Sequence, residues 1–70
     1  MVVKDLEIGT RFQTRNNRGN IYTVISGVRN IDGIEGIEGI EGIMIKVEDS
    51  NGNVYDKEIF PYIIVDKVLK

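Results

Sequence analysis

The asparagine–glycine pair at positions 51 and 52 constrains the fold of this chain more than any other feature. Asn-Gly between two β-prone runs is among the strongest short-range signals for an antiparallel hairpin, because both residues tolerate positive φ angles. Ile43–Glu48 precedes the turn and alternates apolar with polar residues, and Val54–Ile59 follows it. The sequence therefore predicts two paired strands, with Ile43, Ile45 and Val47 on one face.

A second cluster of turn-forming residues, Asn16–Asn20, predicts another hairpin. It joins a strand over Thr10–Arg15 to one over Ile21–Val28, in which Tyr22, Val24 and Val28 share a face. A turn around Pro61 and a last strand over Ile64–Leu69 complete the chain. Five short strands without sustained helical periodicity predict one all-β domain over residues 1–70, a barrel or a sandwich.

The layout of these strands resembles a known fold family. A Gly-led first strand (Ile8–Phe12), a hairpin into Gly19–Val24, a long loop, the Asn51-Gly52 turn and Pro61 before a last strand together resemble a small SH3-like barrel. The resemblance implies five strands, with a long Ile-Glu-Gly repeat loop between strands 2 and 3. The aromatic cluster of peptide-binding SH3 domains is not recognisable, so proline-rich ligands are not implied.

The chain also resembles small accessory proteins of bacteriophages, in its brevity, its lack of cysteine and its tandem repeat. Many such proteins block host enzymes or sequester host signals. This resemblance implies a phage-encoded inhibitor of a host protein.

Histidine and cysteine are both absent, which excludes disulfides, thiolate chemistry and the usual zinc ligands. The two serines, Ser26 and Ser50, have no visible base partner, and glycines interrupt the carboxylates of the repeat. We therefore expect a protein without enzymatic activity, cofactor or metal. A chain this short buries only about 60% of its unfolded surface, which favours a homo-oligomer.

The start of the chain lacks a signal-peptide pattern, and its longest uncharged apolar stretch, residues 59–65, has seven residues. We expect a soluble protein without membrane contact. The absence of cysteine fits the cytoplasm, or the host cytoplasm if a phage encodes the protein.

Four Ile-Asp/Glu-Gly triplets repeat over residues 31–42 and run into Ile43. One interpretation is a surface loop lengthened by duplication, because loop-closure cost rises slowly with length. A second is a docking loop for a partner or a neighbouring subunit, since regularly placed isoleucines are unusual in a solvated loop. A third is ligand binding by the glycine amides, although the carboxylates would repel phosphate. The docking interpretation assigns partner-binding roles to Ile34, Glu35, Ile37, Glu38, Ile40 and Glu41.

Charge is distributed unevenly, with a net +3 over residues 1–29, which hold every arginine, and −5 over residues 30–70. The two halves of a barrel can attract one another in this way, or the arginines can form an anion-binding face. The second interpretation predicts a nucleic-acid or nucleotide site, within one subunit or at a subunit interface, built from Arg11, Arg15, Arg18, Arg29 and Tyr22. A pI of about 5.0 is opposite to the basic footprint of nucleic-acid binders. The sequence therefore favours a non-enzymatic protein-binding module, with anion binding as the alternative.

Overall fold

Alternating apolar residues and two asparagine-rich turns produce an antiparallel β-sheet in the computed structural model, which describes residues 1–31 and 40–69. A 3₁₀ turn, Val3–Asp5, precedes the sheet. The strands are β1 (Arg11–Gln13), β2 (Ile21–Val24), β3 (Arg29–Ile31), β4 (Ile40–Glu48), β5 (Val54–Ile59) and β6 (Lys67–Leu69). The predicted all-β class is confirmed, but this part of the chain holds six strands rather than five.

The sheet has the order β3-β4-β2-β1-β6, and β5 pairs with the other edge of β4. β2 and β3 follow one another along the same edge of β4, with Val24 opposite Ile45 and Arg29 opposite Gly42. β4 is therefore the central strand. No helix in the described ranges has the length and apolar character needed to cross a bilayer.

One face of the sheet, the inner face, carries the hydrophobic core. Its fully or nearly buried apolar residues are Val3, Phe12, Tyr22, Val24, Ile43, Ile45 and Val47. The rings of Phe12 and Tyr22 pack in a tilted arrangement with centroids 5.3 Å apart. The predicted inner face of β4 is confirmed, because side chains on one face of a strand recur every two residues.

The hairpin predicted at Asn51-Gly52 is confirmed, and Val54–Ile59 matches the predicted strand residue for residue. Gly52 has φ +84°, a conformation that glycine adopts without steric cost. Asp49 Oδ1 accepts hydrogen bonds from the backbone N–H groups of Asn51 and Asn53, each at 2.9 Å. The pKa of Asp49 lies below its ordinary value, chiefly because of the Asn53 backbone N–H.

The second predicted strand is interrupted after Val24. Val24 lies opposite Ile45, and Arg29 lies opposite Gly42. The chain advances five residues from Val24 to Arg29 but only three residues along β4, so residues 25–28 form a bulge with two extra residues. The Met44 N–H donates to Ser26 Oγ at 3.1 Å instead of to a ladder carbonyl. The prediction that Val28 shares the inner face with Val24 is wrong, since Val28 lies in the bulge and is exposed.

The predicted loop between the second and third strands is partly strand. Arg29–Ile31 and Ile40–Gly42 pair with one another, so the last triplet of the repeat opens β4. Ile40 and Gly42 belong to a strand here because β3 supplies Ile31 and Arg29 as their pairing partners. This is a long-range effect that local strand preference does not contain.

The N-terminal segment joins the chain that leads into β6. Val2 forms an isolated antiparallel bridge with Ile64, and the Val3 N–H donates to the Ile63 carbonyl at 3.0 Å. The strand predicted over Ile64–Leu69 is therefore shorter than expected, with this bridge first and β6 beginning at Lys67. The pairing brings Val3 into the core.

Candidate functional site

The gap between β5 and β6, the seam, is where the sheet stays open. In the described residues β5 pairs only with β4, and β6 pairs only with β1. The Asp49 N–H donates to the Asn53 carbonyl at 2.9 Å, which fixes the hydrogen-bonded pairs of the β4–β5 ladder. Because such pairs alternate, the backbone groups of Val54, Asp56 and Glu58 point to the free edge of β5.

Tyr55 shows that the inner face of β5 is uncovered. It lies opposite Val47 in the β4–β5 register, and opposite residues share a face. Val47 is 1% exposed, whereas Tyr55 is 46% exposed. The core therefore covers β4 fully and leaves part of β5 open.

A cleft of about 730 Å³ lies along this seam. Lys57 and Ile59 of β5 form one wall, and residues 63–66 form the other. Residues 14–17, which lead from β1 into the first turn, close one end. The buried residues Tyr22 and Ile45 form the floor, so the cleft lies directly against the core.

Two cationic side chains, Arg15 and Lys57, line the cleft and are exposed. Neither forms an ion pair with another described residue. Asp66 is the one carboxylate among the lining residues, and its Oδ2 lies 3.5 Å from Arg18 Nε. The uncompensated charge of the cleft is thus positive, although the whole chain is acidic.

The other three predicted anion-binding arginines form ion pairs within the chain. Arg11 pairs with Glu48 at 3.7 Å, Arg18 with Asp66 at 3.5 Å, and Arg29 with Glu58 at 2.8 Å. Each pair joins an arginine of the first 29 residues to an acid of the remainder, as expected if the two halves attract one another.

The predicted anion site is not assembled on one face. Arg11 and Arg29 lie on the outer face of the sheet, with their register partners Thr23 and Gly42, whereas Arg15 lines the cleft. Tyr22, the predicted stacking residue, is only 7% exposed and lines the cleft from the core side. Its hydroxyl lies 3.3 Å from Asn20 Nδ2.

Most of the predicted docking residues, Ile34, Glu35, Ile37 and Glu38, lie outside the described residues. Ile40 lies in β4, as does Glu41, whose Oε2 accepts a hydrogen bond from the Tyr62 hydroxyl at 3.0 Å. Lys4 Nζ lies 4.9 Å from the centroid of the Tyr62 ring, a cation–π distance. Glu41 therefore contacts the body of the protein.

The seam combines an apolar floor, a row of backbone donors and acceptors, and two cations that have no ion-pair partner among the described residues. Among the described residues no three carboxylates lie close enough together to hold a metal ion. Sequence reasoning missed Lys57 and the wall formed by residues 63–66. The apolar run over 59–65 was the available signal, since it is too apolar for an ordinary surface connection.

No family model, curated protein or solved structure matches this chain.

Proposed function

We propose that this protein is a non-enzymatic protein-binding module that accepts an extended segment of a partner at the seam. The observation that carries the proposal is the free edge of β5 beside a cleft that lies against the core. Unpaired strand edges are ready-made templates for another strand, and several recognition domains bind peptides in this way.

The contacts available to such a segment are of two kinds. Backbone groups of Val54, Asp56 and Glu58 would pair with its main chain and contribute affinity without regard to sequence. Alternate side chains of the segment would point inward over Tyr55 and Ile59. Covering these residues removes apolar surface from water, at about 25 cal/mol per Å² of gross stabilisation.

We infer that the open sheet is a variant of the small SH3-like barrel. The strand path β6-β1-β2-β4-β5 and the Pro61 turn before the last strand support this inference. The hairpin extension of β3 with the start of β4 is an addition to that layout. An experimental structure in which β5 and β6 lie on separate, unrelated sheets would contradict it.

Peptide selection followed by NMR mapping tests the function. Random twelve-residue peptides would be selected on the immobilised protein and titrated into ¹⁵N-labelled protein. We expect the selected peptides to shift the amide signals of residues 54–59 and 63–66. Enrichment of peptides that shift only other regions would contradict the proposal, as would the failure of any peptide to bind.

Two proline variants separate edge pairing from general surface contact. Asp56→Pro removes an N–H that faces the free edge, a position where edge strands tolerate proline. We expect it to fold and to bind selected peptides at least about tenfold more weakly, equivalent to about 1.4 kcal/mol. Asp56→Ala controls for the lost carboxylate and should bind like the wild type. Lys57→Pro removes an N–H that bonds to β4, so it should destabilise the fold more than Asp56→Pro does.

A further inference from the structure

We infer that the segment accepted at the seam is acidic, with an aspartate or glutamate two residues from an apolar side chain. This inference rests on the proposed function and adds the chemistry of the partner.

The four arginines differ in whether a carboxylate of the chain lies beside them. Arg11, Arg18 and Arg29 each have a carboxylate partner within the chain, and Arg15 has none among the described residues. Lys57 also lacks an ion-pair partner there, and both side chains line the same cleft. An incoming carboxylate meets two uncompensated cations, whereas an incoming lysine meets like charge.

Lys57 lies at an unusual place for a cation within β5. It stands opposite the fully buried Ile45 and so lies on the inner face, where the other strands place apolar residues. A strand added beside β5 would bring an inward side chain close to Lys57, because neighbouring strands lie about 4.8 Å apart.

The apolar walls of the cleft account for the apolar side chain in the proposed segment. Ile59, Ile63 and Val65 are partly buried and pack against the core while also lining the cleft. Side chains on one face of an extended chain recur every two residues. An inward carboxylate near Lys57 therefore places the next inward side chain, two positions away, over these apolar residues.

Edge-to-edge pairing with a second copy of β5 is disfavoured by charge. In the two self-pairing registers that use most of β5, a two-fold axis perpendicular to the sheet places either Asp56 opposite Asp56 of the other copy or Lys57 opposite its own equivalent. The second register also sets Asp56 against Glu58. Like charges directly opposite one another destabilise a strand pair, so β5 is better suited to a different chain.

The test uses the peptides selected on the wild-type protein. We expect Asp and Glu to be enriched above their library frequency, with apolar residues two positions away. The double variant Arg15→Gln/Lys57→Gln should bind these peptides at least tenfold more weakly. Lys46→Gln is the matched control, since Lys46 is exposed on the outer face of the neighbouring strand, and it should change the affinity less than twofold.

Reversing the charge at residue 57 and in the peptide gives a second test. Lys57→Glu should lose the acidic peptide and bind a peptide in which the acidic residue is replaced by lysine. Backbone pairing at the seam without acid enrichment, or equal affinity of the double variant, would overturn this inference and leave the proposed function standing. Failure to select any peptide that maps to the seam would overturn both.

The same experiments distinguish two other occupants of the seam, a second copy of this chain and a small anion. If the protein forms a dimer that Tyr55→Ser or Asp56→Pro converts to a monomer, the seam belongs to a second copy and the inference is wrong. If adenosine or guanosine diphosphate displaces the peptides and shifts the same amides, the cleft takes a small anion instead.

Discussion

Arg29 and Glu58 are 29 residues apart in sequence and form a two-point ion pair, with Nε–Oε2 at 2.8 Å and Nη2–Oε1 at 3.1 Å. Arg29 lies in β3 and Glu58 in β5, on opposite sides of the central strand β4. The pair therefore ties the hairpin that carries the repeat to the body of the sheet. Planar guanidinium and carboxylate groups match one another in this geometry.

This pair predicts a pH dependence. Hydrogen bonding from Arg29 holds the pKa of Glu58 below its ordinary value. The stabilisation is present above the unfolded pKa of about 4.3 and is lost as pH falls through the lower folded pKa. We expect the melting temperature of the wild type to exceed that of Glu58→Gln at pH 7 and the two to converge in acid. An unchanged difference from pH 7 to pH 3 would contradict this, and in an Arg29→Gln background Glu58→Gln should have little effect.

Ser26 is expected to stabilise the bulge. Its hydroxyl accepts the Met44 N–H, which is partly buried and would lose its partner in Ser26→Ala. A buried donor left unsatisfied costs about 1–3 kcal/mol. Urea unfolding of Ser26→Ala should show this loss. Ser50→Ala, at an exposed serine, is the control and should stay within about 0.5 kcal/mol of the wild type.

Gly52 is expected to resist substitution for conformational reasons alone. Its φ of +84° is unfavourable for side-chain-bearing residues, although a Cβ there would meet no other atom within 4 Å. Gly52→Ala should cost about 1–2 kcal/mol. Gly27 has equally open surroundings and no positive φ, so Gly27→Ala should be neutral or slightly stabilising. Equal losses in the two variants would rule out backbone strain as the cause.

The two faces of β4 predict opposite responses to truncation. Ile45 is fully buried, and Ile45→Ala should destabilise the fold by about 2–5 kcal/mol. Lys46, the next residue, is exposed, and Lys46→Ala should change stability by no more than about 0.5 kcal/mol. Denaturant titration measures both. Comparable effects would mean that the inner and outer faces are assigned incorrectly.

The elements that sequence reasoning predicted well depend on local signals. The hairpin at Asn51-Gly52 and the inner face of β4 follow from turn preference and two-residue alternation, and both are present. The bulge was missed because Ile21–Val28 is rich in β-branched residues, which predict one continuous strand. What breaks the ladder there is Ser26, whose hydroxyl bonds to a residue 18 positions away.

The seam was not predictable from the same signals. Alternation assigns Tyr55 to a face but does not say whether another element covers that face, which depends on where β6 lies. β3 was missed because Arg29–Ile31 holds one β-prone residue and becomes a strand through pairing with β4. Of the cleft cations, Arg15 was considered on charge grounds, whereas Lys57 was found only through its inner-face position.

The pairing of Ile31 with Ile40 has an evolutionary consequence. Their pairing holds the two ends of the connection between β3 and β4 side by side. Whole triplets gained or lost within that connection, by slippage of the coding repeat, therefore leave the register of β4 unchanged. The entropic cost of a longer connection grows only logarithmically, at about 0.6 kcal/mol for each doubling. Variants of this chain with one triplet more or fewer in the connection should therefore keep the same strand pairing.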